Sequence, residues 1–105
     1  MVRVINFRDM DIIPFNIQDA EKYGITCAIV KKYLEDWDNH MLIEHNLDAG
    51  TCIEEICKDM PCIETYEITH ALEELISLGL VYIYFTKIDE VSGLVTQVLK
   101  IKRKD

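Results

Sequence analysis

Between Pro61 and Gly79 the chain is set up to form one amphipathic helix that must bury a single stripe. Ile68, Leu72 and Leu75 recur at helical spacing, Ala71 and Ile76 flank them, and Gly79 supplies the stop. Pro61 ends whatever lies before it. That preceding piece is also helical in pattern: Thr51-Cys-Ile-Glu54 reads as a capping box opening a short helix that buries Ile53, Ile56 and Cys57. A tight joint between two such helices is the pattern of a helix-turn-helix.

Beyond Gly79 the pattern becomes that of extended chain. Leu80 to Phe85 is apolar, aromatic and β-branched, Asp89-Glu-Val-Ser-Gly93 carries turn residues, and Leu94 to Ile101 alternates. Upstream, Arg3 to Phe7 alternates as a short strand would, and Pro14 interrupts it. Asn16 and Asp19 mark the start of a short helix closed by Gly24. A longer helix is predicted from Thr26, with Ile29, Val30, Tyr33, Leu34, Trp37 and Met41 inward and Lys31, Lys32, Glu35, Asp36 and Asp38 outward, fraying between His40 and Asn46. The order predicts an α+β chain, mostly helical: a winged helix, with a helix-turn-helix and a C-terminal β-hairpin wing. It divides one domain, 1–105, into an N-terminal strand or arm (1–15), N-terminal helices (16–47), the helix-turn-helix (48–80), and the wing with a basic tail (81–103). A chain of 105 residues has no room for a second core.

No apolar run is long enough to cross a bilayer, and the N-terminus lacks the apolar stretch and cleavage site of a secretory signal, so the expected compartment is the cytoplasm. Cys27, Cys52, Cys57 and Cys62 lie beside Ile, Ala or Val in patterned segments and are read as buried free thiols rather than as a disulfide framework.

Two segments resemble the winged-helix domain at the front of phage replication initiators, or replisome organisers. One is Ile17-Gln-Asp-Ala-Glu-Lys-Tyr-Gly-Ile25, followed by a helix carrying Ala28-Ile29 and Trp37. The other runs from Met60-Pro61 to Gly79-Leu80-Val81, where Pro61, Ile68, Leu72, Leu75, Gly79 and Leu80 match the family's spacing. The resemblance covers residues 15–85 and implies a fold and a viral origin, hence a host-cell cytoplasm. It does not carry over DNA contacts. Where the family has several Lys or Arg after a serine cap, this chain reads Thr65-Tyr-Glu-Ile-Thr-His-Ala-Leu-Glu73 after Glu64, and Cys62-Ile63 replaces the usual aromatic pair.

Charge obeys the same division. The whole chain carries −8, and residues 48–80 hold eight acids against the single base Lys58, a net of −7. With Ile68 inward, a step of about 100° per residue puts Tyr66, His70, Glu73 and Ser77 mid-way across the exposed face, flanked by Glu67 and Glu74, with Thr69 towards the other side. A helix reading the major groove needs Arg, Lys, Asn or Gln at such positions. Weak or absent DNA binding is the expectation. The candidate partner-binding residues are Tyr66, Glu67, His70, Glu73 and Glu74, with Glu54 and Glu55. Positive charge at Lys100, Lys102, Arg103 and Lys104 is the candidate for phosphate contact, alongside Lys31, Lys32, Arg3 and Arg8 elsewhere.

Other chemistry fits less well. Cys52-x4-Cys57-x4-Cys62, with His40 and His45 nearby, falls outside the tight pairs of structural zinc sites, so no metal and no cofactor are expected. There is no phosphate-binding glycine loop, nucleophile elbow or zinc-protease motif, so no enzyme is expected. His70 is read as a surface histidine salt-bridged to its glutamates. The leading expectation is a non-enzymatic, phage-encoded adaptor or inhibitor whose acidic face mimics DNA. It would engage a basic protein surface, such as the nucleic-acid groove of a host enzyme or defence complex, in the manner of an anti-CRISPR or anti-restriction protein. The alternatives are a DNA-binding transcription or replication regulator using the wing and basic tail, and a homodimer module joined through the long aromatic helix.

Overall fold

The computed structural model describes residues 15–44 and 50–102. The expected strand at 3–7, Pro14, Arg3, Arg8, His45, the loop residues Asp48 and Ala49, and Arg103 and Lys104 lie outside them. Among the described residues the chain is α+β and mostly helical, with four helices followed by a two-stranded antiparallel hairpin: α1 (Ile17–Tyr23), α2 (Ile25–Glu44), α3 (Ile53–Asp59), α4 (Thr65–Ser77), β1 (Val81–Ile88) and β2 (Val95–Ile101). No described helix is long and apolar enough to cross a membrane.

Asn16 opens α1 by accepting the Asp19 amide on its side chain at 3.1 Å, and Gly24, at φ 97°, ends it. Lys31 of α2 reaches back to Asp19 and also to Glu35, each at 2.9 Å, so the α1–α2 corner is pinned by charge. Burial disfavours the Lys31 charge, but the two carboxylates outweigh it and hold its pKa above the ordinary value. The buried residues of α2 are Cys27, Ala28, Ile29, Val30, Tyr33, Leu34 and Asp38. They meet Ile56 and Met60 from the α3 region, Ile68, Ala71, Leu72 and Leu75 of α4, and Val81, Leu99 and Ile101 at the base of the hairpin.

The capping-box expectation at Thr51 is corrected. Cys52 occupies the N-cap of α3 without a side-chain bond, because Thr51 is committed to the sheet. Its amide donates to the Leu99 carbonyl at 3.0 Å and its carbonyl accepts the Leu99 amide at 2.6 Å, an isolated antiparallel bridge on the outer edge of β2. Gly50 makes that approach possible: a Cβ there would lie 2.5 Å from the Leu99 carbonyl oxygen and 2.7 Å from Val98 Cγ1.

Helix α4 ends in a Schellman closure. The Leu80 amide donates to Leu75 O and the Gly79 amide to Ile76 O, both at 3.0 Å, with Gly79 at φ 76°. The hairpin therefore leaves α4 at a fixed angle, and its base is tied where the Lys102 amide meets Leu80 O at 2.8 Å. β1 and β2 pair from Val81 opposite Ile101 to Ile88 opposite Val95, with a bulge between Ile83 and Phe85.

Three further expectations change. Asp38 is buried rather than outward, at 6% exposure, since it continues the Cys27–Val30–Leu34 stripe. Of the four free thiols Cys27 is buried, Cys52 and Cys57 are half-buried, and Cys62 is exposed. The aromatic face of α2 is no open dimer surface: Tyr33 lies in the core and Trp37 packs against it, their rings stacked 6.4 Å apart.

Candidate acidic binding face

The exposed side of α4 carries what its periodicity placed there. Tyr66, His70, Glu73, Glu74 and Ser77 are exposed, and Glu67 is half-buried. All but Ser77 form one wall of a groove of about 910 Å³, whose other wall is the α1–α2 corner at Tyr23, Gly24 and Ile25. The corner exists because Gly24 lets the chain turn directly from one helix into the next.

Two contacts orient the carboxylates of this wall. Cys27, on the groove floor, donates its thiol to Glu74 Oε2 at 3.4 Å. Burial first, and the neighbouring Glu74 carboxylate second, push that thiol up to about 11. It is therefore a protonated donor at neutral pH, not a nucleophile. Tyr66 donates its hydroxyl to Glu67 Oε1 at 3.3 Å, and the Glu67 charge holds the phenol above its ordinary pKa. Among the described residues His70 makes no ion pair with its glutamates, contrary to expectation; it stands exposed between Glu67 and Glu74 along the same wall.

Glu73 also borders a second cleft, of about 260 Å³, between α3, α4 and β2, whose lining includes Glu54, Leu72, Ile76 and Leu99. Glu54, Glu67, Glu73 and Glu74 thus border two neighbouring grooves that share Thr69 and Glu73. Glu55 does not join them. It acts on the other side of α3, where its charge reaches the Tyr33 hydroxyl, which itself donates to Asp59 at 2.6 Å. Burial and those two carboxylates raise the Tyr33 pKa well above its ordinary value.

The candidate phosphate-contacting cluster is dismantled at its first member. Lys100 is 4% exposed, its Nζ 3.8 Å from Asp38 Oδ1 and 4.9 Å from the centre of the Tyr84 ring. It is an internal strand residue, not part of a solvated tail. Lys102 is exposed. Lys31 and Lys32 are likewise engaged, with Asp19, Glu35 and Asp36. Among the described residues no group of three or more His, Cys, Asp or Glu side chains is placed to hold a metal ion.

Sequence reasoning missed the groove's second wall, and with it the Cys27–Glu74 contact, because these join positions far apart in the chain. It placed the hairpin but missed the exposure of its outer strand, whose Tyr82, Ile83, Tyr84 and Phe85 are each between 41% and 49% exposed. The signal was present: four large apolar residues in a row, without alternation, cannot all face one core. Compared with the models of known protein families, with curated proteins and with solved structures, the chain matches none.

Proposed function

We propose that this protein is a non-enzymatic binding module of winged-helix architecture that engages a basic protein surface through the outer face of α4. The winged-helix reading is supported by the order of elements: a long helix, one bridged residue at Thr51, two helices joined through Pro61, then a hairpin whose inner strand receives that bridge. The observation that carries the functional reading is the exposed face of Tyr66, His70, Glu73 and Glu74, lining an apolar-floored groove beside Glu67.

Carboxylates in that setting attract cationic side chains, accelerate encounter and make the complex salt-sensitive. Tyr66, a rigid amphipathic side chain 70% exposed, suits the centre of such a contact. The same face repels a phosphate backbone, and Lys31, Lys32 and Lys100 are each engaged with a carboxylate of their own. The partner surface is cationic, as in the nucleic-acid groove of a host enzyme, and the protein acts as an inhibitor by placing carboxylates where phosphates would lie.

The test titrates the full chain with a labelled amphipathic peptide rich in Lys and Arg and, separately, with duplex DNA, at low and near-physiological salt. Peptide binding that weakens with salt and disappears in E67K/E73K/E74K is the expected result. Submicromolar duplex binding, lost on truncation before Lys102, would overturn the proposal in favour of a DNA-binding regulator.

A further inference from the structure

We infer that the hairpin is a homodimer interface, through which a second copy of this chain packs wing to wing. The bulge creates the surface. Tyr82 pairs with Lys100 and Phe85 with Val98, and Lys100 and Val98 share a face because they are two apart on β2. In a regular strand Tyr82 and Phe85, three apart, would point to opposite faces. The extra residue at the bulge brings them to the same one. Tyr84 joins them, since its ring lies under the Lys100 ammonium and edge-on to Phe85 at 5.5 Å. Three aromatic rings, each more than two-fifths exposed, thus lie on one side of a two-stranded ribbon.

The opposite side and the tip add Ile83, Ile88, Val91, Leu94 and Val95, from 43% to 97% exposed. These eight side chains are spread over both faces and the tip of the ribbon; the aromatic face alone, at roughly 150–250 Å² for a whole aromatic, exposes on the order of 300 Å². A dimer of standard size covers about 800 Å² on each partner, so the β1 edge and the side chains flanking it on both faces must all contribute.

Two features select a second copy as the occupant. The first is charge. The hairpin, residues 81–102, carries Lys87, Lys100 and Lys102 against Asp89 and Glu90, near neutrality, whereas the chain as a whole is at −8. Copies meeting through α3 or α4 would set acid on acid; copies meeting through the hairpin do not. The second is the strand edge. Among the described residues β1 pairs only with β2, and Thr51 occupies the far edge of β2, so β1 presents its outer edge along eight residues. Such an edge is a template for another strand. Two copies satisfy each other by antiparallel pairing about a two-fold axis, the commonest closed symmetry.

The inference is independent of the acidic face, and its test keeps the two apart. Sedimentation and light scattering of the full chain over a range of concentrations should give a species of twice the 12.2 kDa chain mass. Phe85→Lys and Ile88→Lys, on opposite faces and both exposed, should each raise the dimer dissociation constant at least about tenfold while circular dichroism stays unchanged. Glu73→Lys should leave the dimer intact. A chain that is monomeric at every concentration overturns the inference, whether its own residues 1–14, a lipid surface or nothing covers the wing. A dimer insensitive to both substitutions overturns it equally. If one variant fails to fold, the other decides.

Discussion

Asp38 and Lys100 show what a residue's charge conceals about its position. Charge alone sends both to solvent, yet periodicity puts Asp38 four residues after Leu34 on the buried stripe. Lys100, between Leu99 and Ile101, enters the molecule on the other face of β2. Their side chains are 8% and 3% exposed and face each other from α2 and β2. Removing one partner of a buried ion pair forfeits the attraction that offsets the burial of both charges, whereas replacing both by apolar residues removes attraction and burial cost together. Asp38→Asn should lower the free energy of unfolding by about 3 kcal/mol, and D38L/K100M should cost clearly less, measured by urea denaturation. An equal loss in both would show that packing, not charge, is what the pair supplies. The thiols sort by the same logic. With a disulfide reagent at pH 8, exposed Cys62 should react first, and Cys27, held protonated by burial and by Glu74, should react last and only as the fold opens.

At the scale of elements, the sequence was most legible where one signal sufficed. The α4 stripe, the Gly79 stop and the turn at Asp89–Gly93 each rest on a local pattern, and each appears in the structure. The capping box failed because a distant strand competed for Thr51: pairing with Leu99 uses both backbone groups of Thr51, and no window along the chain contains Leu99 and Thr51 together. That bridge predicts its own weak point. Gly50→Ala forces a methyl against the Leu99 carbonyl, which is backbone and cannot swing aside, so the cost should be about 1–3 kcal/mol with loss of the bridge's amide protection in hydrogen exchange. The hairpin turn has a different sensitivity. Asp89 Oδ1 accepts the Val91 amide at 2.8 Å and the Ser92 amide at 3.3 Å, and these bonds depress its pKa below the ordinary 3.8. A depressed carboxylate contributes order above its unfolded pKa and loses it as pH falls through the lower folded value. The turn amides should therefore stay protected from neutrality down to about pH 4 and loosen only below it, and Asp89→Ala should loosen them at every pH.

For the whole molecule the question is why the α3–α4 region is so acidic. From Thr51 to Leu80 the described chain carries Glu54, Glu55, Asp59, Glu64, Glu67, Glu73 and Glu74 against Lys58, on elements whose buried faces already account for the fold. Among the described residues Glu54, Glu67, Glu73 and Glu74 make no ion pair, whereas on α2 Lys31 and Lys32 stand beside Asp19, Glu35 and Asp36. Glu54 and Glu73 instead line one cleft together. Like charges so placed oppose folding modestly, and salt screens the repulsion. Moderate salt should therefore raise the melting temperature while it weakens the proposed complex, two opposite trends from one cause. Glu73→Lys separates the roles further: it relieves repulsion, so melting should rise by about 2 °C, and it removes a carboxylate from both grooves, so binding to the cationic peptide should fall. A variant that melts lower and binds as before would make the acidic face an element of the fold. Higher melting with lost binding is the pattern of a surface whose charge is kept for a partner.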